Sequence, residues 1–267
     1  MVSTMRKLAS SVDNRPTAVK KALGVLEAFD AEASRLTLSE LAERCALPVT
    51  TAHRLIGDLV AWGALERDGD GRYALGLKLW ELGALAPRAL GLRQCAMPVL
   101  EDLYEATHQN VQLCVLDGLE TVFTERISGR NAIGVASRVG GRLPAHATSG
   151  GQVMLAFASP AVRKEALAAP MARYTSKTIT EPQRLRSVLA EIRRTGFVVC
   201  DGHVTEDALA VAAPVRGPRD AVVAAVSVVV PSQPGAEVPL IPAIVAAARG
   251  ISRTLGAPSL ASRTPWA

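Results

Sequence analysis

Four polar residues with hydrogen-bonding side chains stand close together in the sequence: Thr50, Thr51, His53 and Arg54. Their hydroxyl, imidazole and guanidinium groups can hydrogen-bond base edges and phosphate oxygens. They follow Pro48, and because proline is well tolerated at a helix start, they fall in the first turns of a predicted helix. This arrangement is typical of a recognition helix in the major groove. An ordinary helical hairpin with a solvated face is the alternative interpretation.

Two short helices joined by a tight turn are predicted to position these side chains. Thr37 and Glu40 form the S/T-x-x-E pattern of a capping box, which begins the first helix. The turn at residues 46–48 interrupts the pattern because proline is excluded from a helix interior. Apolar residues recur at helical spacing in both helices: Leu38, Leu41, Ala42 and Cys45, then Ala52, Leu55, Ile56 and Leu59. Residues 37–62 therefore indicate a helix-turn-helix.

A preceding helix and a following hairpin complete a predicted domain over residues 16–76. The helix is VKKALGVLEAF, which carries one apolar stripe. The hairpin consists of two short strands around the turn sequence DGDG, residues 68–71. Three helices followed by a hairpin predict a winged helix-turn-helix. Arg67 and Arg72 on the wing can touch phosphates or the minor groove, although a solvated hairpin explains them equally well.

The next segment, residues 77–93, is predicted to be a linker helix. The sequence GLKLWELGALAPRALGLR is apolar at helical spacing and is broken at Pro87. It would expose too much apolar surface for an isolated linker, so we expect it to pair with a second copy or to pack on its neighbours.

Residues 94–256 predict a second domain, which makes the chain an α+β protein. Short apolar runs joined by tight turns favour an antiparallel sheet, with helices grouped on its faces. One expected strand covers residues 132–139, and a helix beginning at Met97 precedes the sheet. The ends of the chain, residues 1–15 and 257–267, are predicted to be a disordered arm and a flexible tail.

Composition and charge narrow the class of protein. The sequence is 49% hydrophobic, but no run approaches the roughly 18 uncharged apolar residues of a membrane span. The polar N-terminus lacks the apolar core of a signal peptide, so we expect a cytoplasmic protein without a membrane partner. The net charge is +5, yet residues 1–90 hold 12 Lys and Arg against 11 Asp and Glu. DNA binding must therefore depend on locally placed cations.

The four cysteines and four histidines are scattered along the chain, without the spacing of metal ligands. We therefore expect free buried thiols, no metal and no cofactor. Cys200 would act as a redox switch only if its pKa were depressed.

Several segments together resemble the IclR-type transcriptional regulators. The DNA-binding half is similar in VKKALGVLEAF, LSELAERCALPVTTAHRLIGDLVAWGALERD and GRYALGLKLWELG, and the effector-binding half in RLPAHATSGGQVMLAF and LAVAAPV. The resemblance implies a winged helix-turn-helix followed by a GAF-like domain that binds a small organic acid. It also implies a homodimer or homotetramer on double-stranded DNA with a roughly palindromic operator.

The resemblance places the effector site between a Gly-rich loop and the C-terminal strands. Carried over by position, its residues are Ser149, Gly150, Gly151, Cys200, Asp201, Ala210 and Ser227. Exposed amides at a Gly-rich helix start suit a carboxylate. His203 is interpreted as a loop residue rather than a ligand contact.

Three positions depart from the family pattern. Ala46 stands where a glycine is frequent, so a left-handed backbone there would be strained. Ala210 and Val229 replace polar residues of the family. The stretch CDGHVTED stands where the family has an Asp-Glu-Glu-like sequence. We therefore predict a less polar pocket and a larger or more apolar acid than glyoxylate, with an aromatic acid as a candidate.

Two other classes of function compete with this interpretation. A hydrolase could use Ser149, His146 and either Asp201 or Asp207, but no G-x-S-x-G elbow, P-loop or GxGxxG is present. A protein-interaction module could keep the winged helix without reading DNA. We predict a non-enzymatic regulator.

Overall fold

The computed structural model describes residues 17–260 apart from residues 31, 86 and 131. The chain divides into two compact units, Met1–Ala86 and Pro87–Ala267. The predicted arm, residues 1–15, and residues 261–267 of the predicted tail lie outside the described residues. No helix among the described residues is long and apolar enough to cross a membrane.

The first unit has the predicted winged helix-turn-helix plan. A small core of apolar side chains, including Val25, Leu41, Ala52, Ile56 and Leu65, holds its elements together. The hairpin strands pair from Leu65 with Leu75 to Arg67 with Tyr73. In the described residues the elements are α1 (Ala18–Glu27), α2 (Leu38–Arg44), α3 (Val49–Trp62), β1 (Leu65–Arg67), β2 (Tyr73–Leu75) and α4 (Leu77–Ala84).

Local sequence determines where α2 and α3 begin and end. The Thr37 hydroxyl accepts a hydrogen bond from the Glu40 amide, and the Glu40 carboxylate accepts one from the Thr37 amide, as in a capping box. Helix α3 follows Pro48 and ends at Gly63, whose φ of 88° lies in the left-handed region that favours glycine. The predicted turn between the two helices is therefore confirmed.

Within that turn, Ala46 adopts φ of 49°. Its amide donates to the Glu43 carbonyl at 3.0 Å, and the Leu47 amide donates to the Ala42 carbonyl at 2.9 Å. The turn thus requires a left-handed residue, and alanine carries a steric penalty there that glycine avoids. The strain expected from the sequence is present.

Replacing Ala46 by glycine is expected to stabilise the first unit by about 0.5–1 kcal/mol, because relief of the left-handed strain exceeds the extra entropy of the unfolded chain. Thermal unfolding followed by circular dichroism measures the change. The matched control is Ala61→Gly on an exposed position of α3, where the same substitution should destabilise by about 1 kcal/mol. A loss of stability in both variants would contradict the prediction.

The second unit is built on a six-stranded antiparallel sheet in the order β5-β4-β3-β8-β7-β6. In the described residues its strands are β3 (Asn110–Asp117), β4 (Glu120–Ile127), β5 (Arg142–Pro144), β6 (Val198–Asp201), β7 (Ala208–Arg216) and β8 (Val222–Pro231). Its helices are α5 (Pro87–Thr107), α6 (Ser149–Phe157), α7 (Pro160–Ala168), α8 (Pro182–Thr195) and α9 (Glu237–Thr254), followed by the short 3-10 helix Pro258–Leu260. This α+β architecture agrees with the predicted fold class.

Each face of the sheet carries its own apolar core. Helices α5 and α9 cover one face, and α6, α7 and α8 cover the other. Strand β8 contributes to both because successive side chains of a strand point to opposite faces. Its side chains at Val226, Val228 and Val230 belong to the core with α5 and α9, whereas Ala225 belongs to the core with α6 and α8.

The predicted strand at residues 132–139 is wrong. Its backbone carbonyls bond to side chains of the sheet instead of to a neighbouring strand. The Asn110 side-chain amide donates to the Ile133 carbonyl at 2.7 Å, and the Arg126 guanidinium donates to the Ser137 carbonyl at 2.9 Å. The segment is therefore an irregular loop anchored at two points.

The predicted start of a separate helix at Met97 is also wrong, because α5 runs continuously from Pro87 to Thr107. Pro98 lies inside this helix and removes one amide hydrogen, which disfavours a helix locally. Burial of Ala96, Leu100 and Leu103 in the core offsets that loss. The predicted linker, residues 77–93, is thus divided between α4 and the start of α5.

Candidate functional site

The outer face of α3 presents the side chains that could contact DNA. Thr50, His53 and Arg54 are exposed, and Thr51 is half-buried. The Arg54 guanidinium lies 3.4 Å from the Asp58 carboxylate, one turn further along the helix. Since both side chains are about two-thirds exposed, at 65% and 70%, this pair is weak and Arg54 can exchange it for a base or phosphate.

The start of α3 is also suited to a phosphate. Pro48 precedes the helix, and no side chain caps the first-turn amides. Such amides carry the positive end of the helix dipole and bind anions. The same turn therefore offers both backbone donors for a phosphate and side-chain donors for bases.

The two wing arginines are held by contacts within the first unit. The Arg67 guanidinium lies 5.6 Å from the centre of the Tyr73 ring, and Arg72 lies 3.5 Å from the Glu40 carboxylate. These contacts leave both side chains exposed. The wing therefore presents two exposed cations in the same unit as α3.

Replacing Arg54 by alanine is expected to weaken specific operator binding by about tenfold or more, because a bidentate contact from arginine to guanine discriminates by roughly 1–3 kcal/mol. Non-specific binding should fall much less. Gel shifts with the chain's own upstream intergenic DNA and with an unrelated duplex measure the two affinities. The control, Asp58→Ala, removes the partner of Arg54 and should leave operator affinity unchanged or raised. Equal loss on both duplexes would refute base reading by Arg54.

A second candidate site is a cavity of about 60 Å³ in the second unit. It lies between the start of α6, the sheet, and two loops. Most of its lining is apolar or small, with a few hydroxyl and amide groups. The lining residues are Gln112, Phe123, Val135, Ala136, Ser137, Leu143, Ala147, Thr148, Ser149, Gly150, Cys200, His203, Val204, Thr205, Ala208, Ala210, Ser227 and Val229.

The start of α6 supplies backbone donors to this cavity. The Thr148 hydroxyl caps the helix by accepting from the Gly151 amide at 3.1 Å. The Thr121 and Thr148 hydroxyls are 2.8 Å apart, which anchors the cap to β4. The cap does not use the amides of Ser149 and Gly150, so they are available to an anion at the positive end of the helix dipole.

Close packing explains the glycines of this turn. A methyl group added at Gly150 would overlap the Cys114 sulfur on β3. One added at Gly151 would overlap the Thr121 hydroxyl and the Ala145 backbone. Glycine therefore lets the start of α6 lie directly on the sheet.

The side-chain amide of Gln152 is buried beside the cavity and contacts three neighbouring residues. The Gln152 amide donates to the His146 carbonyl at 2.8 Å and lies 3.2 Å from Nδ1 of His203, while its oxygen lies 3.5 Å from the Cys200 sulfur. Burial, reinforced by the positive charge of Arg184, lowers the pKa of His203 below its usual range. The His203 ring is therefore neutral at neutral pH.

Comparison with known proteins decides the family. The model of the IclR helix-turn-helix domain matches residues 18–69, and the model of the bacterial transcriptional regulator IclR C-terminal domain matches residues 86–253. The chain belongs to the IclR family. It is a DNA-binding transcriptional regulator with a C-terminal domain for a small-molecule effector, and the resemblance inferred from the sequence is confirmed.

Individual IclR relatives agree with this assignment. The chain is 32% identical to the HTH-type transcriptional regulator XynR of Escherichia coli, over 78% of this chain and 84% of that protein. It is 31% identical to KipR of Bacillus subtilis, over 81% and 87% of the two chains. An IclR homolog from Microbacterium hydrocarbonoxydans, solved in complex with 4-hydroxybenzoate, is 39% identical with a TM-score of 0.85, covering 90% of this chain and 99% of that one.

Five of the seven residues proposed for the effector site of this IclR protein line the cavity: Ser149, Gly150, Cys200, Ala210 and Ser227. Gly151 and Asp201 do not. Gly151 serves the packing of α6 on the sheet. The Asp201 carboxylate lies 2.6 Å from the Lys177 ammonium and accepts from the Ser232 hydroxyl, and these bonds lower its pKa.

Sequence reasoning missed several polar groups of the cavity. The Gln112 side chain donates to the Ser137 hydroxyl at 2.7 Å, and both are buried. A polar residue inside an apolar run is the feature of the sequence that indicates Gln112. His203 and Thr205 line the cavity from a loop, where sequence alone offers no periodicity.

The described residues give little support to hydrolysis, to a redox switch at Cys200 or to metal binding. The His146 ring contacts the Ala172 carbonyl at 3.0 Å, and Asp201 is paired with Lys177, so each of these side chains already has a partner other than Ser149. Burial raises the pKa of the Cys200 thiol, which is the opposite of what a redox switch requires. No group of metal-ligating side chains occurs among these residues.

Proposed function

We propose that this IclR regulator senses an aromatic carboxylic acid, whose carboxylate binds the amides of Ser149 and Gly150. The observation that carries the proposal is the pairing of these two donors with a largely apolar cavity wall that includes Phe123, Val135 and Leu143. A carboxylate needs the donors, and an aromatic ring needs the wall.

Two further facts support an aromatic acid over a C2–C3 acid. Ala210 and Val229, in place of polar residues, add apolar surface to the cavity. The Microbacterium relative, at 39% identity, binds 4-hydroxybenzoate. The cavity must widen for such a ligand, because a dry cavity that admits benzene measures about 150 Å³.

We further propose that the regulator acts as a homodimer on a roughly palindromic operator. Helix α4 carries three large apolar side chains that are exposed in the first unit, Leu77, Trp80 and Leu82, and Leu85 directly follows it. Such a patch marks an interaction surface. Two copies joined there would present two α3 helices to two half-sites.

Thermal-shift measurements on the full chain test the ligand class. Benzoate and 4-hydroxybenzoate should raise the melting temperature in a concentration-dependent way, because a ligand that binds only the folded state stabilises it. Glyoxylate and pyruvate should have no such effect. If only the C2–C3 acids stabilise the protein, the aromatic assignment is wrong.

A gel shift with the upstream intergenic DNA tests the regulatory function. Specific binding should weaken steeply with salt, because phosphate contacts release counterions. Addition of 4-hydroxybenzoate should change operator affinity. If the protein binds the upstream DNA no more tightly than unrelated DNA, the result favours the competing class, a protein-interaction module that keeps the winged helix without reading DNA.

A further inference from the structure

A second cavity, of about 340 Å³, lies beside the effector cavity in the same unit. His203 lines both cavities, and Gln152 lines the second one. The bond between the Gln152 amide and Nδ1 of His203, at 3.2 Å, therefore lies in the wall between the two spaces.

The second cavity is shaped for an apolar group. Its walls include Ile179, Val188, Ile192, Phe197 and Val198, from α8, β6 and the segments that precede them. Arg184 and Glu191 also line it, and both are exposed, so the charged groups lie toward solvent. A ring or short hydrocarbon chain placed inside would be desolvated by aliphatic and aromatic carbons.

Opening the wall between the cavities breaks one hydrogen bond, because one of the two N–H groups of the buried Gln152 amide loses its partner, Nδ1 of His203. When the His203 ring turns away, the Gln152 amide keeps its bond to the His146 carbonyl at 2.8 Å. The backbone of the loop stays anchored, because the Thr178 hydroxyl donates to the His203 carbonyl at 2.6 Å. The broken contact joins two neutral groups, which is the weaker class of hydrogen bond.

We propose that the second cavity is a distal compartment of the effector site, which takes the apolar end of an elongated aryl acid once the His203 side chain has turned aside. The inference rests on the proposed function, since the carboxylate is held at Ser149 and Gly150. A cavity of about 60 Å³ is too small for a second ring, and the neighbouring space of about 340 Å³ is large enough.

Calorimetric titration of the full-length protein with two probes tests the compartment. 4-Hydroxybenzoate has one ring, and biphenyl-4-carboxylate has a second ring that would enter beyond His203. Val188→Phe fills the distal compartment, so it should weaken binding of biphenyl-4-carboxylate about tenfold and leave that of 4-hydroxybenzoate within about twofold. The matched control is Ala190→Phe, on the exposed side of α8, which should change neither affinity.

A second variant keeps the test independent of how well Val188→Phe folds. His203→Ala removes the ring from the wall, so the affinity for biphenyl-4-carboxylate relative to 4-hydroxybenzoate should rise about tenfold. Equal changes in the affinities for the two acids, in both variants, would refute the proposed compartment. So would a wild-type protein that binds 4-hydroxybenzoate but not biphenyl-4-carboxylate. A wild-type protein that binds neither acid would remove the proposed function, and the compartment with it.

Discussion

Replacing Trp80 and Leu85 together by lysine is expected to lower operator affinity by about two to three orders of magnitude. Both side chains are 70% exposed, and we propose that they meet their counterparts in a second copy. Pairing two binding modules makes the second binding event intramolecular, which raises affinity by about 10²–10⁴. A monomer loses this gain even though its α3 is unchanged.

Lysine is chosen because it separates the effect of lost pairing between copies from the effect of added charge on DNA binding. Added cations favour DNA binding electrostatically, so a loss of affinity in this variant must come from lost pairing. Glu81→Lys, at an exposed polar position on the same helix, is the control and should retain the dimer. Sedimentation velocity and gel shift are measured together on each protein. A monomeric double variant with full operator affinity would refute the role assigned to the patch.

Replacing Gly150 by alanine is expected to destabilise the second unit by about 2–3 kcal/mol and to weaken effector binding about tenfold or more. The added methyl group would overlap the Cys114 sulfur, so the start of α6 must move away from β3, at the usual cost of overpacking. The amides of Ser149 and Gly150 move with it, and they are the proposed carboxylate donors. Thermal unfolding with and without 4-hydroxybenzoate measures both effects.

A second substitution shows whether packing is the cause. Cys114→Ala removes the sulfur, and the nearest neighbours of the new methyl group are then the β-carbons of Ala225 at 3.8 Å and of residue 114 at 3.9 Å, which are ordinary contacts. The double variant should recover most of the stability and of the ligand response. Gly151→Ala cannot be rescued in this way, because it would overlap the Ala145 backbone. If the double variant is no better than Gly150→Ala, the packing explanation fails.

The helix-turn-helix is the part of the fold that could be predicted most fully from the sequence, because the signals for its helices and turn are local. The capping box at Thr37 and Glu40, the apolar spacing of α2 and α3, and Gly63 each act within a few residues. The left-handed conformation of Ala46 was expected from the resemblance, because a glycine is frequent at this position of the family. The other features needed no knowledge of the rest of the chain.

The cavity that we propose as the effector site could be predicted from the sequence only in part. A Gly-rich helix start indicates an anion site, and Ser149 and Gly150 do line the cavity. That Gly151 is instead a packing residue depends on Thr121 and Ala145, which reach it only through the folded sheet. The contact of Gln152 with His203 likewise joins residues 51 positions apart.

The loop at residues 132–139 illustrates the same limit. Its apolar residues are typical of a strand, but side chains of Asn110 and Arg126 bind its carbonyls. Strand propensity describes the preference of an isolated segment, and in the folded protein these tertiary contacts override it. Continuous α5 through Pro98 is a second case, in which core packing prevailed over a local helix breaker.

The alternation along β8 has a consequence for how such a regulator can acquire new ligands. Ser227 and Val229 line the cavity, while Val226 and Val228 hold α5 and α9. On the proposed function, substitution of Ser227 or Val229 is expected to change the preferred ligand without weakening the packing of α5 and α9. Substitution of Val226 or Val228 is expected to change stability without changing the ligand. On the proposed function, ligand preference and stability therefore depend on alternate residues of the same strand.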